Sequence, residues 1–338
     1  MEKRIPKEYE VWWRQRTVYV PDVTLAGGTV EGLGALRAQL PQLQGLGIGA
    51  LWLEGIEPSP DVLEAMTALL CRAGELDFKV ILALSSFKSL SKTDGGEALL
   101  PEMEGWLREG VGGFDLGDLS KMPLSRKTLH TMGKRLRKAL PEDVLLCASL
   151  SKGGPRRAAA FVMAENRELH LIRPLLWPLH AKQLFSWLAR WQKGLSWPLI
   201  QLIFPNTEDN DPQGKRALLT LALTVKGMPV LRESVFPLAA DAQLGDYAKE
   251  LLAFRAGSEA MRYGGYRTLE NTSRICRFVR RFRRDAVGVA VNLSPRRVPS
   301  PLLGQVLLGN SGRTAADLEL APFEALILKW HTEPMQRK

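Results

Sequence analysis

Short, almost wholly apolar runs alternate with longer stretches of helically spaced apolar residues over about the first 235 positions. "RTVYVPDV" (Arg16–Val23), "IGALWLEGI" and "FKVILALSSF" are rich in β-branched and aromatic residues and predict strands. Between them, "TVEGLGALRAQLPQLQGLG" and "PDVLEAMTALLCRAGELD" have helical periodicity, the first with Thr29 as a candidate cap. "GGEALLPEMEGWLREGV", "SRKTLHTMGKRLRKAL", "AKQLFSWLARWQKG" and "GKRALLTLALTVKG" predict further helices. "EGVGGFDLGDLS" (Glu109–Ser120), "DVLLCASLS", "WPLIQLIFPN" and "MPVLRE" predict further strands, with "RAAAFVMAE" as a weaker one. Strands that alternate with helices and are apolar throughout are the mark of a parallel sheet covered on both faces.

About eight strand–helix units in this span fit a (β/α)8 TIM barrel. A doubly wound sheet is the alternative, but no glycine-rich phosphate loop follows the first strand. From about Ala240 the period changes. One helix, "DYAKELLAFRAGSEAM", precedes hairpin-like runs: "TSRICRFVRRF", the turn "RRDA", "VGVAVNLS" and a final "FEALILKW". The expected plan is a barrel over residues 1–240 and a small antiparallel β domain over residues 241–338.

Composition leaves this picture standing. The 338 residues are 45% hydrophobic and 24% charged, as in a globular protein. No apolar run reaches the ~20 residues of a membrane-spanning helix, and "MEKRIPKEYEVWW" lacks the apolar core of a signal peptide. The net charge of +10 permits an anionic membrane surface or nucleic acid as partner. The one dense basic run, "RFVRRFRR" (Arg277–Arg284), alternates as a strand with a solvated arginine face would, and no nucleic-acid-binding signature accompanies it. Cys71, Cys147 and Cys276 lie far apart in apolar settings, which predicts buried free thiols and no metal site. Of two sequons, Asn271 is the better glycosylation candidate, because Asn292 falls at a strand end.

"EGVGGFDLGDL" resembles the fourth-strand motif of the α-amylase-like glycoside hydrolases, in which Gly-Phe-Arg-x-Asp carries the nucleophile. "KVILALSS", "LIFPNTEDND" and "LTVKGMPVLRESV" are similar to that superfamily's third-, seventh- and eighth-strand motifs. Within it, the "WW" of Trp12 and Trp13, the "LAGGTVEGLGALRAQLPQLQGLGIGALWL" segment and "GWLREGVGGFDLGDL" resemble the heavy-chain ectodomain of the heteromeric amino-acid transporters. The short link between strands three and four leaves no room for the amylase inserted domain, which that heavy chain also lacks. The resemblance spans roughly Trp12 to Trp330. It implies a plasma-membrane, extracellular location and a light-chain amino-acid transporter as partner. It also places Trp12 and Trp13 near the membrane or the partner. The cysteine that links such heavy chains to their partner is missing here, with Arg4 about where it should stand.

Carried over position by position, the resemblance puts Gly117 where the nucleophile belongs and Asp115 where an arginine belongs. Ala83 replaces the third-strand Asp, with Phe87 and Lys88 at sugar-binding positions. Ala148 and Ser149 stand at the end of strand five where the general acid belongs. Near strand seven, Asn206, Thr207, Glu208 and Asp209 occupy the Asn-His-Asp region. A retaining glycosidase needs two carboxyl groups ~5 Å apart. The expectation is a catalytically inactive barrel, not an enzyme, that serves as an auxiliary chain for a transporter, with no cofactor and no metal. The alternative is a glycan-processing hydrolase with a displaced site built on Asp118 and on Glu208 or Asp209. Asp118 reaches the barrel face only if strand four bulges, since side chains alternate faces. The four histidines (His130, His170, His180, His331) have no metal-ligand spacing. The tryptophans Trp177, Trp187, Trp191 and Trp197 are read as core, with sugar stacking or partner binding as the other possibility.

Overall fold

The computed structural model describes residues 11–22, 29–56, 59–84, 99–118, 126–149, 171–174, 199–203, 211–269, 272, 274–300, 304–314 and 318–330. Eight strands form one parallel sheet: β1 (Val18–Val20), β2 (Ala50–Leu53), β3 (Lys79–Ala83), β4 (Gly113–Asp118), β5 (Leu145–Ser149), β6 (Leu171–Pro174), β7 (Leu199–Ile203) and β8 (Met228–Arg232). Their order is β5-β4-β3-β2-β1-β8-β7-β6. The two ends, β5 and β6, lie against each other, which closes the sheet into a barrel. The sixth strand is "LIRP", a run the sequence pattern did not single out; "RAAAFVMAE" lies outside the described residues.

The short helix α1 (Trp12–Gln15) precedes β1, and outside the barrel run α2 (Val30–Gly45), α3 (Pro60–Glu75), α4 (Leu99–Arg108), α5 (Arg126–Ala139) and α6 (Pro212–Thr224). Their starts are chemically marked. The Thr29 hydroxyl accepts from the Gly32 N–H to open α2, and Ser59 does the same for Val62 at α3, with Pro60 in the first turn. Leu33, Leu36, Leu40 and Leu43 bury the inner face of α2 against the barrel wall. Each strand therefore serves two cores. Tyr19, Leu51, Leu53 and Phe114 face the helices, while Val18, Trp52, Ile81 and Leu145 fill the barrel. Close approach makes a glycine necessary on β4: a Cβ on Gly113 would lie 2.8 Å from that of Leu145.

Helices α7 (Ala242–Gly257) and α8 (Glu259–Tyr263) lead into the antiparallel region. There β9 (Gly265–Thr268), β10 (Ile275–Phe282), β11 (Asp285–Asn292), β13 (Val306–Gly309) and β15 (Ala325–Lys329) form a sheet in the order β13-β15-β11-β10-β9. A two-stranded pair, β12 (Val298–Pro299) and β14 (Glu319–Leu320), completes it. The hairpin of β10 and β11 turns through Arg283 and Arg284, with Phe282 opposite Asp285. This is the expected barrel followed by an antiparallel sheet.

The solvated arginine face expected of β10 is not what forms. Arg280 is fully buried and Arg277 nearly so, while Arg281 is exposed. Helices cover the Cys276–Phe278–Arg280 face, and the arginine is kept because backbone carbonyls await it. Its guanidinium donates to Thr224 O at 2.9 Å, Met261 O at 2.9 Å, Gly264 O at 3.1 Å and Gly265 O at 3.2 Å. Beside it, buried Arg255 donates to Leu223 O and Gly227 O, each at 2.7 Å. Leu223 and Thr224 end α6, where carbonyls lack helical partners and the dipole favours a cation. Burial pulls Arg255 down to about 10. Burial, and then the neighbouring Arg255, pull Arg280 well below the usual arginine range. These two cations tie α7 and β10 to the end of α6 and the turn after it.

Candidate active site

The carboxyl-terminal ends of the strands carry the charged groups of the barrel, where TIM-barrel enzymes place their chemistry. The layers below are apolar. Trp52, Ile81, Gly113 and Leu145 stand in one register row across β2 to β5. In the next row up, Ala83 pairs with Asp115 and Asp115 with Cys147. Glu54 continues that row beyond Leu53, which pairs with Leu82. The side chains of this row share the face of Trp52 and Ile81, because strand residues alternate.

Asp115 is 6% exposed, and its Oδ1 accepts from the Gly117 N–H at 2.9 Å. Gly117 has φ of +73°, a left-handed conformation that suits glycine and lets the chain turn back on the carboxylate. At the same place β4 slips against β5. Asp115 pairs with Cys147 but Asp118 with Ser149, so three steps on β4 meet two on β5. The bulge shifts Asp118 to the register of position 149, which has the parity of the barrel-lining Leu145 and Cys147.

Across the mouth, Arg232 at the end of β8 donates to Glu54 Oε2 at 2.9 Å. Both side chains are partly exposed, 23% for Arg232 and 34% for Glu54. Next along, Glu233 accepts from the Asp22 N–H at 2.7 Å. Tyr19 lies behind it with its hydroxyl buried, and burial, then the charge of Glu233, push its ionisation far above the ordinary range. The Glu54–Arg232 pair had no sequence signal beyond its place at two predicted strand ends. The partners are 178 positions apart and meet only because β1 lies between β2 and β8.

The structure brings Ala83, Asp115 and Gly117 together with the backbone of Ser149. Glu208, Asp209, Asn206, Thr207, Phe87, Lys88 and Asn271 lie outside the described residues, as do the four clustered tryptophans. Trp13 is 5% exposed and belongs to the cluster that fills the barrel, and Trp12 packs edge-on against it. Trp12 also donates to Asp143 O at 3.0 Å. Cys147 and Cys276 are buried as expected, but Cys71 is exposed, because it sits on the outward face of α3 while Leu69 and Leu70 face inward. Among the described residues no three His, Cys, Asp or Glu side chains could hold a metal ion. No described helix is long and apolar enough to cross a membrane.

No family model and no curated protein matches the chain. Solved structures do. A trehalulose synthase from Pseudomonas mesoacidophila MX-45 superposes with a TM-score of 0.73 at 13% identity, covering 97% of this chain and 100% of that one. An isomaltulose synthase from Klebsiella sp. LX3 gives 0.70 at 13% identity, over 94% of this chain and 99% of that one. An enzyme of family GH13_31 gives 0.71 at 13% identity, over 95% and 100%. These matches bear out the fold, a (β/α)8 barrel followed by an antiparallel β sheet. The matches overturn the expectation of a catalytically inactive transporter heavy chain that is not an enzyme. The three structures described here are named as two sugar synthases and a GH13_31 enzyme.

Proposed function

We propose that the chain is a glycan-processing enzyme that cleaves glucosidic bonds with a displaced catalytic site at the mouth of the barrel. The observation that carries this reading is the bulge of β4. It pairs the backbone of Asp118 with that of Ser149, two register steps beyond Cys147, the partner of the buried Asp115. Gly117 has no side chain to attack with, but the strand that bears it supplies two carboxyl groups, one on each side. The fold shared with isomaltulose and trehalulose synthases supports the substrate class. Glycosidic cleavage needs a proton donor and a carboxylate on opposite sides of the bond, and a carboxyl-lined mouth can provide both.

The test is hydrolysis of p-nitrophenyl α-glucoside and maltose by purified protein. The double variant D115N/D118N removes both β4 carboxylates at almost constant volume and is expected to lose turnover by ~100-fold or more. Wild-type protein that releases no glucose from either substrate would overturn the reading.

A further inference from the structure

We propose that the outer face of the five-stranded β sheet binds an acidic glycan, one whose sugar rings carry carboxylates, through Arg267, Arg281 and Trp330. The charge half of this assignment stands by itself, and the sugar half rests on the glycan-processing reading above. Register fixes which residues share the face. Arg267 on β9 pairs with Val279 on β10, Val279 with Gly288 on β11, and Gly288 with Leu328 on β15. In the neighbouring row Gly265 pairs with Arg281 and Arg281 with Ala286, whose carbonyl accepts from the Trp330 N–H at 3.0 Å. Side chains of both rows point to one side, away from Cys276 and Phe278, which pack into the main core. Val298 and Leu320, from β12 and β14, cover the end of this face at Ile275, Ala290 and Leu326. The other end carries two cations and a ring.

Arg267 and Arg281 are both exposed, and neither forms an ion pair among the described residues. Arg281 Nε donates to Arg283 O at 3.5 Å, which holds its stem at the hairpin turn, while its two terminal nitrogens have no described partner. Asp285 is the one acidic residue of β9, β10, β11 and β15, and it belongs to the opposite face. There it accepts from Ser258 Oγ and the Ala260 N–H, each at 2.7 Å. Gly288 seats the ring. A Cβ on it would lie 2.8 Å from Trp330 Cε3, so the half-buried indole rests on the bare backbone of β11. Arg281 and Trp330 stand two strands apart, about 10 Å, with only the methyl of Ala286 between them in the row.

A ligand matched to this arrangement brings negative charge to one end and a flat, partly apolar ring to the other. Guanidinium forks pair with carboxylates, and an indole face packs against the C–H face of a sugar ring. A chain of uronic acid residues supplies both groups on successive rings. Single-stranded nucleic acid also supplies charge, but it is gripped by stacking successive bases on several aromatic rings. Trp330 is the one aromatic ring among the described residues of this face.

The experiment is calorimetric titration of a galacturonate pentamer into wild-type protein at low salt, about 50 mM NaCl, with maltopentaose and oligo-dT in parallel. Saturable binding of the galacturonate is expected, with the other two at least ~10-fold weaker. The R267E/R281E variant, at matched melting temperature, should bind ~10-fold more weakly or worse, and salt of about 300 mM should weaken the wild type several-fold. W330A should lose ~5-fold or more; if it does not fold, upfield shifts of the pentamer's ring protons on the wild-type protein read the same contact. No saturable galacturonate binding, R267E/R281E within ~2-fold of wild type, or tighter binding of oligo-dT overturns the site. Binding is read without turnover. Protein that holds the pentamer but releases no glucose from maltose therefore overturns the glycan-processing reading and leaves the site standing.

Discussion

Replacing Arg280 by methionine removes a buried cation and fills its stem volume with an apolar chain of similar length. Four carbonyls lose a donor: Thr224, Met261, Gly264 and Gly265. An unsatisfied buried carbonyl costs ~1–3 kcal/mol, and these retain part of their bonding through helix and strand neighbours, so the low end applies and the sum is ~4 kcal/mol. That agrees with the ~3–5 kcal/mol observed when one partner of a buried charged contact is removed. For 338 residues, an unfolding entropy of about 2.1 cal/mol/K per residue gives ~0.7 kcal/mol/K, so R280M should lower Tm by ~6 °C. Differential scanning calorimetry reads this directly, with R281A as the control. Arg281 is exposed and its loss should move Tm by less than ~1 °C. A melting point for R280M within ~1 °C of wild type would refute the claim that the carbonyls depend on this guanidinium.

Three further outcomes follow from burial and close contact. One thiol, Cys71, should react with Ellman's reagent in the folded protein and all three in denaturant, since Cys147 and Cys276 are buried; fast native labelling of two or more would contradict the placement. Tyr247 is pushed up to about 12, chiefly by burial, and Tyr19 and Tyr266 higher still. A phenol whose folded pKa is raised keeps its proton longer than in the unfolded chain. Stability should therefore be whole below about pH 10 and fall as pH rises through about 12, with the 295 nm phenolate absorbance of these tyrosines appearing only on unfolding. Gly245→Ala would put a Cβ 2.6 Å from the Leu238 carbonyl oxygen, backbone that cannot easily retreat, and should destabilise by ~1–3 kcal/mol in urea melts.

Much of the fold was legible in the chain because its signals are local. "VYV", "ALWL" and "KVILA" read as buried strands from composition alone, and Thr29 and the Ser59–Pro60 start mark helix boundaries by short-range bonding. The change to an antiparallel sheet showed in the "RRDA" turn, which the β10–β11 hairpin uses. The site was less legible because its pieces are joined by closure of the barrel. Glu54 and Arg232 are distant in sequence, and each is an ordinary residue at a strand end until β1 brings them face to face. Asp118 hinged on a bulge, a backbone event that alternation alone does not reveal. The arginines of β10 misled for a related reason. Period-two alternation reports which residues share a face, but not whether a second layer covers that face.

The central claim is that the barrel mouth turns over glucosidic bonds with carboxyl groups of its own. The most direct measurement is glucose release from maltose by the purified wild-type chain, run beside D115N/D118N protein of matched melting temperature. Steady release by the wild type and a loss of ~100-fold or more in the double variant are expected. Wild type and double variant with equal rates, or no release by either, would contradict it.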